Sequence, residues 1–297
     1  MFMFLKIALG NILKNRRSSV TIITVVFVCV FTMQFGTGYI DGFKEKMTSD
    51  FLKQAGHVNI YNPVFYEEQD FSMMEHNIPF DSAGAAKLRK VPGVQTIRPE
   101  INFGAIANTE EKNLQCMVKG IDIKNPGENY AQLAGSIIDG GFIKGESGLM
   151  IGYKAAALLN VKTGDNLVIL SVDQYGGITA VEGKISGLFK VNNASDDETL
   201  VVCPLAMAQK LLSMEGRVIS IAVNFSDPWA APEHALSLQK VLPEGIVAVP
   251  WQEGKSFIVS MLEMFDVMVI IVSFIIVFAA SMGIINSFLM NLSLIHI

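Results

Sequence analysis

The chain has 297 residues, of which 51% are hydrophobic, and its mean hydropathy is +0.40. That surplus of apolar residues is high for a wholly water-soluble protein, yet 28 acidic and 23 basic residues require a substantial aqueous part. The formal net charge of −5 argues against a basic nucleic-acid surface, so no nucleic-acid partner is expected.

Met1 to Leu13 reads as an amphipathic helix. Lys6, Gly10, Asn11, Lys14 and Arg17 fall on a polar stripe, and Phe2, Leu5, Leu9, Ile12 and Leu13 on an apolar one. Residues 1–17 are expected to lie on the inner membrane surface, apolar side down. Ser18 to Ile40 then runs without a charged residue. At ~1.5 Å rise per residue this is roughly 34 Å of helix, enough to cross a ~30 Å hydrocarbon core. Up to Ile40 the chain has four basic residues (Lys6, Lys14, Arg16 and Arg17) and no acidic one. Positive charge before a first span marks its cytoplasmic side, which makes Lys14, Arg16 and Arg17 the topology-setting residues. The run is longer than the apolar core of a signal peptide and no A-x-A cleavage site follows it, so it reads as a retained anchor. Cys29 within it reads as a packing residue.

A second uncharged apolar run, Val267 to Met290, follows Asp266. The chain is therefore expected to divide into spans at 18–40 and 267–290 with an extracytoplasmic domain, 41–266, between them. That domain holds all 28 acidic residues and the remaining 19 basic ones, a surplus of nine negative charges that reads as a solvated surface. Both ends of it look like helical stalks. Ile40, Phe43, Met47 and Phe51 recur at helical intervals after the first span, and Ile258, Leu262 and Phe265 share a face before the second. Paired stalks could carry movement between membrane and exterior domain.

Between the stalks the pattern alternates. Strands are predicted at His57–Tyr61, Val94–Arg98, Asn102–Asn108, Leu114–Gly120, Asn166–Val172, Val181–Phe189, Leu200–Cys203, Val218–Asn224 and Ile246–Val249. Helices are predicted at Asp81–Arg89, Tyr153–Leu159, Leu205–Met214 and Glu233–Val241. Asn62-Pro63, Asp122–Gly127, Val161–Asp165 and Tyr175-Gly176-Gly177 are turn signals, the last a hairpin candidate. Gly183 and Gly187 are possible bulges. This is a mixed α+β domain.

The chemistry-bearing motifs are weak. Gly254-Lys255-Ser256 copies the end of a phosphate loop, but position 249 is Val249, not glycine. His57, His76, His234 and His296 show no metal-ligand spacing, and Asp196-Asp197-Glu198 reads as a solvated acidic loop and not as a calcium loop. Asn193 and Asn224 match a common glycosylation pattern. Cys116 and Cys203 could pair in an oxidising compartment, or stay as buried thiols. No pair of carboxylates takes acid and base roles, and no enzyme active site, metal or cofactor is expected. In the second span Ala279 and Gly283 form a small-xxx-small pair suited to close helix packing.

The layout resembles the MacB/FtsX-like permeases of ABC transporters, including the lipoprotein-releasing LolC/LolE-like branch. The likeness runs through Leu5 to Arg17, Gly56 to Ile60, Val118 to Asp122, Gly141 to Ile143, Met150 to Gly152, Ala155 to Leu159, Val161 to Asp165, Val201 to Leu212 and Val249 to Trp251. The resemblance implies α-helical spans with a MacB-like periplasmic core domain between the first two, in a multi-pass protein of the bacterial inner membrane. It also implies a separate cytoplasmic ATPase, a second permease subunit in a homo- or heterodimer, and cargo that is exported or released, with lipoprotein release favoured and a periplasmic carrier as a further partner. A MacB-like efflux permease and a two-span sensor or scaffold are the alternatives. Family members continue from the second span into a cytoplasmic coupling segment and two more spans. The residues from about Leu292 depart from that pattern, and 291–297 read as a truncated or artefactual tail.

Overall fold

The computed structural model describes residues 16–68, 74–123, 133–191, 194–254 and 257–295. The expected N-terminal amphipathic helix, Lys14, most of the turn at Asp122–Gly127, Asn193, Lys255, Ser256 and His296 lie outside these. The chain divides into two units, one of long helices (residues up to 50 and from 255) and one of α+β structure (Phe51–Gly254).

The helical unit comes from helix α1, Arg16–Ala55, and a helix of 39 residues near the other end, Phe257–Ile295. Both are long and apolar enough to cross a membrane. Neither has a proline, and the charged residues Asp41 to Lys46 do not interrupt α1, because helix hydrogen bonding is satisfied within the backbone in lipid and in water alike.

The α+β unit begins with strand β1 (Val58–Tyr61) and the one-turn helix α2 (Pro63–Glu68). Asn62 Oδ1 accepts from Val64 N (3.0 Å), so the expected strand stop is also a helix cap. A two-residue strand β2 (Ile78–Pro79) precedes α3 (Ser82–Arg89), whose N-cap Asp81 accepts from Gly84 N at 2.6 Å. Then come β3 (Val94–Asn108), β4 (Asn113–Ile121), β5 (Ile137–Gly140), β6 (Gly148–Gly152) and α4 (Tyr153–Leu159). They are followed by β7 (Asn166–Val172), β8 (Ile178–Phe189), α5 (Ala194–Thr199), β9 (Leu200–Pro204) and α6 (Leu205–Leu211). The unit closes with β10 (Arg217–Val218), β11 (Ser220–Phe225), α7 (Ala231–Gln239), β12 (Val247–Pro250) and a 3-10 turn at Trp251–Glu253. The long C-terminal helix is α8.

Two sheets share one strand. The first half of β3 joins β11, β1 and β12 in the order β12-β1-β11-β3, all antiparallel. With α3 between β1 and β3 and α7 between β11 and β12, this is a βαββαβ unit. The second half of β3 pairs with β4, and the ladder runs on through β9, β6, β8 and β7 back to β3. That circuit is a closed six-stranded barrel, inserted between the second and third strands of the βαββαβ unit.

The barrel interior follows from register. Phe103 faces Val118, Val118 faces Val201, Val201 faces Ile151, and Leu149 faces Ile185; all are buried. Helix α6 packs on this wall. A Cβ on Gly120 would sit 2.7 Å from the Ala208 Cβ, and one on Gly183 2.7 Å from Leu149 Cγ and 2.8 Å from Met207 Cε, so a side chain at either position would force its neighbours to shift. A second cluster of Ile121, Leu133, Ile143, Met150, Phe189 and Val202 covers the outside of the wall.

Several expectations are corrected. The two strands expected at 94–108 are one strand, because Pro99 pairs opposite Ile221 without needing its missing N–H. The strand expected at 218–224 is split between β10 and β11. Gly148–Gly152 is a fully buried strand, and its short apolar run had no alternation to show. The acidic loop at Asp196–Glu198 is helix α5, with Asp197 buried and its Oδ1 accepting from Val191 N at 2.7 Å. Of the two readings of Cys116 and Cys203, the buried free thiols are what the structure shows. Gly120 is the β4 partner of Cys203, so Cys116 lies four positions down the strand, roughly 13 Å away and far beyond disulfide reach.

Candidate functional site

The βαββαβ unit leaves an apolar cleft of about 250 Å³ on its helical face. The cause is the shortness of its helices. Helix α3 has 8 residues and α7 has 9, about two turns each. They cover the flanks of the sheet and leave part of its central pair open, so Ile60 of β1 and Ile221 of β11 become the floor. One wall is Leu88 and Ala83 of α3 with Ile78, Pro79 and Phe80 before it. The other is Val241, Leu242, Pro243 and Ile246 between α7 and β12. Asp81 and Lys87 are the polar lining residues. The free strand edge is closed off, since Gln239 donates to Ile246 O (2.8 Å) and accepts from Ala248 N (2.9 Å).

The cleft wall is tied to the tip of the β7–β8 hairpin. Asn77, next to Ile78, donates to Met74 O (2.7 Å) and to Gln174 Oε1 (2.8 Å). Arg217 donates to the Asn77 side chain and backbone carbonyl, and Gln174 donates to Ser213 O. Ser213 Oγ donates to Asp173 Oδ2 (3.0 Å), while Asp173 Oδ1 accepts from Gly177 N (2.8 Å) and Tyr175 N (3.0 Å). These bonds, led by that from Gly177, hold the Asp173 carboxyl below its usual range. The turn so fixed presents Tyr175 and Ile178, each 81% exposed.

On the opposite face of the same sheet the chemistry changes. Tyr61, Ser220 and Glu100 stand in one row across three strands. Arg98 Nε donates to Glu100 Oε1 at 2.6 Å with both side chains buried. Burial, then the Glu100 charge, pushes the Tyr61 hydroxyl above its usual range. This arrangement is a structural strut at the point where β3 passes from sheet to barrel. Among the described residues no group of three metal-ligating side chains occurs.

The helical unit places the residues singled out in the sequence as follows. Arg16 opens α1, and Arg17 follows it in the same helix. A Cβ on Gly283 of α8 would lie 3.5 Å from Val25 Cγ1 of α1. Ala279 is exposed, whereas Ala280 continues a half-buried stripe of Phe265, Val269, Ser273, Ile276 and Ile284. Phe43 meets Phe265 edge to face at 5.6 Å, and Lys44 Nζ lies 2.5 Å from Asp266 Oδ1. Phe43 comes 18 residues after Val25, and Phe265 comes 18 before Gly283. Eighteen residues are five turns, so both contacts sit on one face of each helix, about 27 Å apart along it. The two helices thus run antiparallel without a slip in register over a distance close to the hydrocarbon thickness.

Sequence reading reached the stalk contacts, because Phe43 and Phe265 keep helical spacing. It missed the cleft, whose wall at Ile78–Phe80 belongs to a strand too short to show a period.

No family model matches the sequence. Over 230 residues the chain is 21% identical to the lipoprotein-releasing system transmembrane protein LolE of Haemophilus influenzae. The chain resembles the MacB/FtsX-like permeases. That alignment takes in 73% of this chain and 52% of LolE, so the chain spans about half the length of the curated relative it matches. Among solved structures, the extracellular domain of the ABC-type transporter YknZ from Gram-positive bacteria aligns at 13% identity and a TM-score of 0.45, covering 65% of this chain and 98% of that one. The periplasmic region of MacB from Actinobacillus actinomycetemcomitans aligns at 14% identity and a TM-score of 0.46, covering 71% of this chain and 92% of that one.

Proposed function

We propose that this chain is a permease subunit of an ABC transporter. The observation that carries the reading is the sequence relationship to LolE over 73% of the chain, combined with two span-length helices on either side of an α+β domain. In this reading Lys14, Arg16 and Arg17 keep the N-terminus cytoplasmic, and the α+β domain is extracytoplasmic, in the bacterial inner membrane. A separate cytoplasmic ATPase supplies the energy, and a second permease subunit stands beside the first. The α1–α8 pair, joined at Val25–Gly283, Phe43–Phe265 and Lys44–Asp266, moves as one lever and carries displacement from the membrane to the domain. Release of lipoprotein is the favoured cargo reaction, by analogy with the LolE name. The chemistry on the protein side is mechanical, with no bond made or broken by its own residues.

The test is copurification. The chain, expressed in its native operon context, is expected to bring down an ATPase that carries a complete phosphate loop. A reporter fused near Ser195 is expected to be active only on the far side of the membrane. A cytosolic reporter would falsify the topology. Recovery of a signalling kinase in place of an ATPase would favour the two-span sensor.

A further inference from the structure

The chain carries an exposed apolar knob and an open apolar hole side by side. The knob is the β7–β8 turn, with Tyr175 and Ile178 each 81% exposed and Val172 51% exposed. An isolated exposed apolar residue is ordinary, but this group stands together at one tip. It is also held rigid. Asp173 accepts from two turn amides and from Ser213, and Gln174 donates to Ser213 O. A rigid tip loses little conformational entropy on docking.

The hole is the cleft over Ile60 and Ile221. Its volume of about 250 Å³ exceeds the ~150 Å³ of an engineered apolar cavity that takes up benzene, so a phenol ring fits with room beside it. Lys87 and Asp81 both line the hole and Asp173 lies beside Tyr175 on the knob; each carboxylate is already bonded, Asp81 by Gly84 N and Asp173 by Gly177 N, Tyr175 N and Ser213 Oγ, so the fit is carried by apolar shape.

The two features are neighbours. Gln174, next to Tyr175, accepts from Asn77, which is next to Ile78 in the cleft wall. The tip does not fill its own cleft, since Tyr175 remains 81% exposed. A two-fold interface requires that one patch hold both members of each contact, so that what the first copy gives the second gives back. An adjacent knob and hole meet that condition in a single patch.

We propose that two copies of this chain pair by exchanging hairpin tips, Tyr175 of each seating in the cleft between α3 and the α7–β12 loop of the other. The proposal rests on the reading of the chain as one of two permease subunits standing side by side, and it names the surface through which their α+β domains meet. The bonds through Asn77 also make each cleft wall a neighbour of its own tip, so seating one tip fixes the base of the other.

The test uses two full-length copies with different tags in one membrane, one carrying Ile178→Cys, which leaves Tyr175 in place at the same tip, and the other Ala83→Cys. Both positions are exposed, so neither substitution threatens the fold. Mild oxidation is expected to give a disulfide-linked heterodimer, lost when Leu236→Cys, also exposed on α7, replaces Ala83→Cys. Pull-down through one tag reports pairing separately. If the tags copurify but Ile178→Cys and Ala83→Cys give no more cross-link than the Leu236→Cys control, the exchange is overturned and subunit pairing stands. If the tags do not copurify, the exchange and homodimeric pairing both fall, while ATPase copurification still judges the permease reading.

Discussion

Strand β3 belongs to two regions that solve the same problem differently. In the βαββαβ unit its first half lies in an open sheet with edges at β12 and at β3 itself, two short helices on one face and a buried Arg98–Glu100 pair on the other. In the barrel its second half lies in a closed ladder, filled by Phe103, Val118, Leu149, Ile151, Ile185 and Val201. Closure removes edges, so the barrel is filled from within and its outer wall is covered in part by α4, α5 and the cluster around Met150 and Phe189. The open sheet must be covered by helices, and helices of two turns leave a hole. The open sheet keeps an apolar cleft, the closed barrel carries the exposed apolar tip of β7–β8, and the strand they share ties the two regions together.

The strongest challenge to that contrast is at the strut. Arg98→Met leaves Glu100 buried without its partner and is expected to destabilise the α+β unit by about 3–5 kcal/mol. Arg98→Met with Glu100→Leu should recover most of that loss. Urea unfolding followed by tryptophan fluorescence reads both, and a single variant costing no more than the double one would show that the pair is not a strut.

Overpacking the barrel comes next. Gly183→Val places a Cβ 2.7 Å from Leu149 Cγ and is expected to cost about 1–3 kcal/mol or more. Gly104→Ala on the barrel half of β3 meets nothing within 4 Å and should be near neutral in the same melts. Equal effects would mean that the wall yields and the barrel is not tightly filled.

The third test is of pH. Burial raises the Cys116 thiol from 9.0 to about 11 and the Cys203 thiol to about 12. Both stay protonated in the fold while the unfolded chain would already ionise. Their contribution is full below pH 9 and is lost as pH rises toward 11 and 12. The two thiols should leave stability unchanged below pH 8 and make it decline above pH 9, and that decline should be smaller in a variant lacking both. Alkylation of either thiol in the folded chain at neutral pH would contradict the buried barrel interior.

The smallest effect belongs to the helical unit. Lys44→Met removes an ion pair whose Asp266 partner is 66% exposed, and should weaken helix pairing by no more than about 1 kcal/mol, and by less in high salt. Cross-linking yield between cysteines placed at Val25 and Gly283 measures it. A large loss would move the lever's strength from the Phe43–Phe265 contact to the charges.

By itself the sequence determined what depends on local pattern. Uncharged runs of helical length set α1 and α8, Asp81 fixed a helix start, Asn62-Pro63 a strand stop, Tyr175-Gly176-Gly177 marked the hairpin, and Phe43 and Phe265 kept the spacing that lets them meet. Tertiary structure decided everything that depends on partners distant in sequence. It joined Val94–Arg98 to Asn102–Asn108 across Pro99, because β11 asks nothing of the missing N–H there. It closed the barrel through pairings such as Ile106 with Leu170 and Met117 with Leu200, which no local period encodes. It buried Asp197 against Val191 and held Cys116 apart from Cys203. The cleft also arose at this level, because a hole between two elements is a property of their separation, and separation is written in no single stretch of chain.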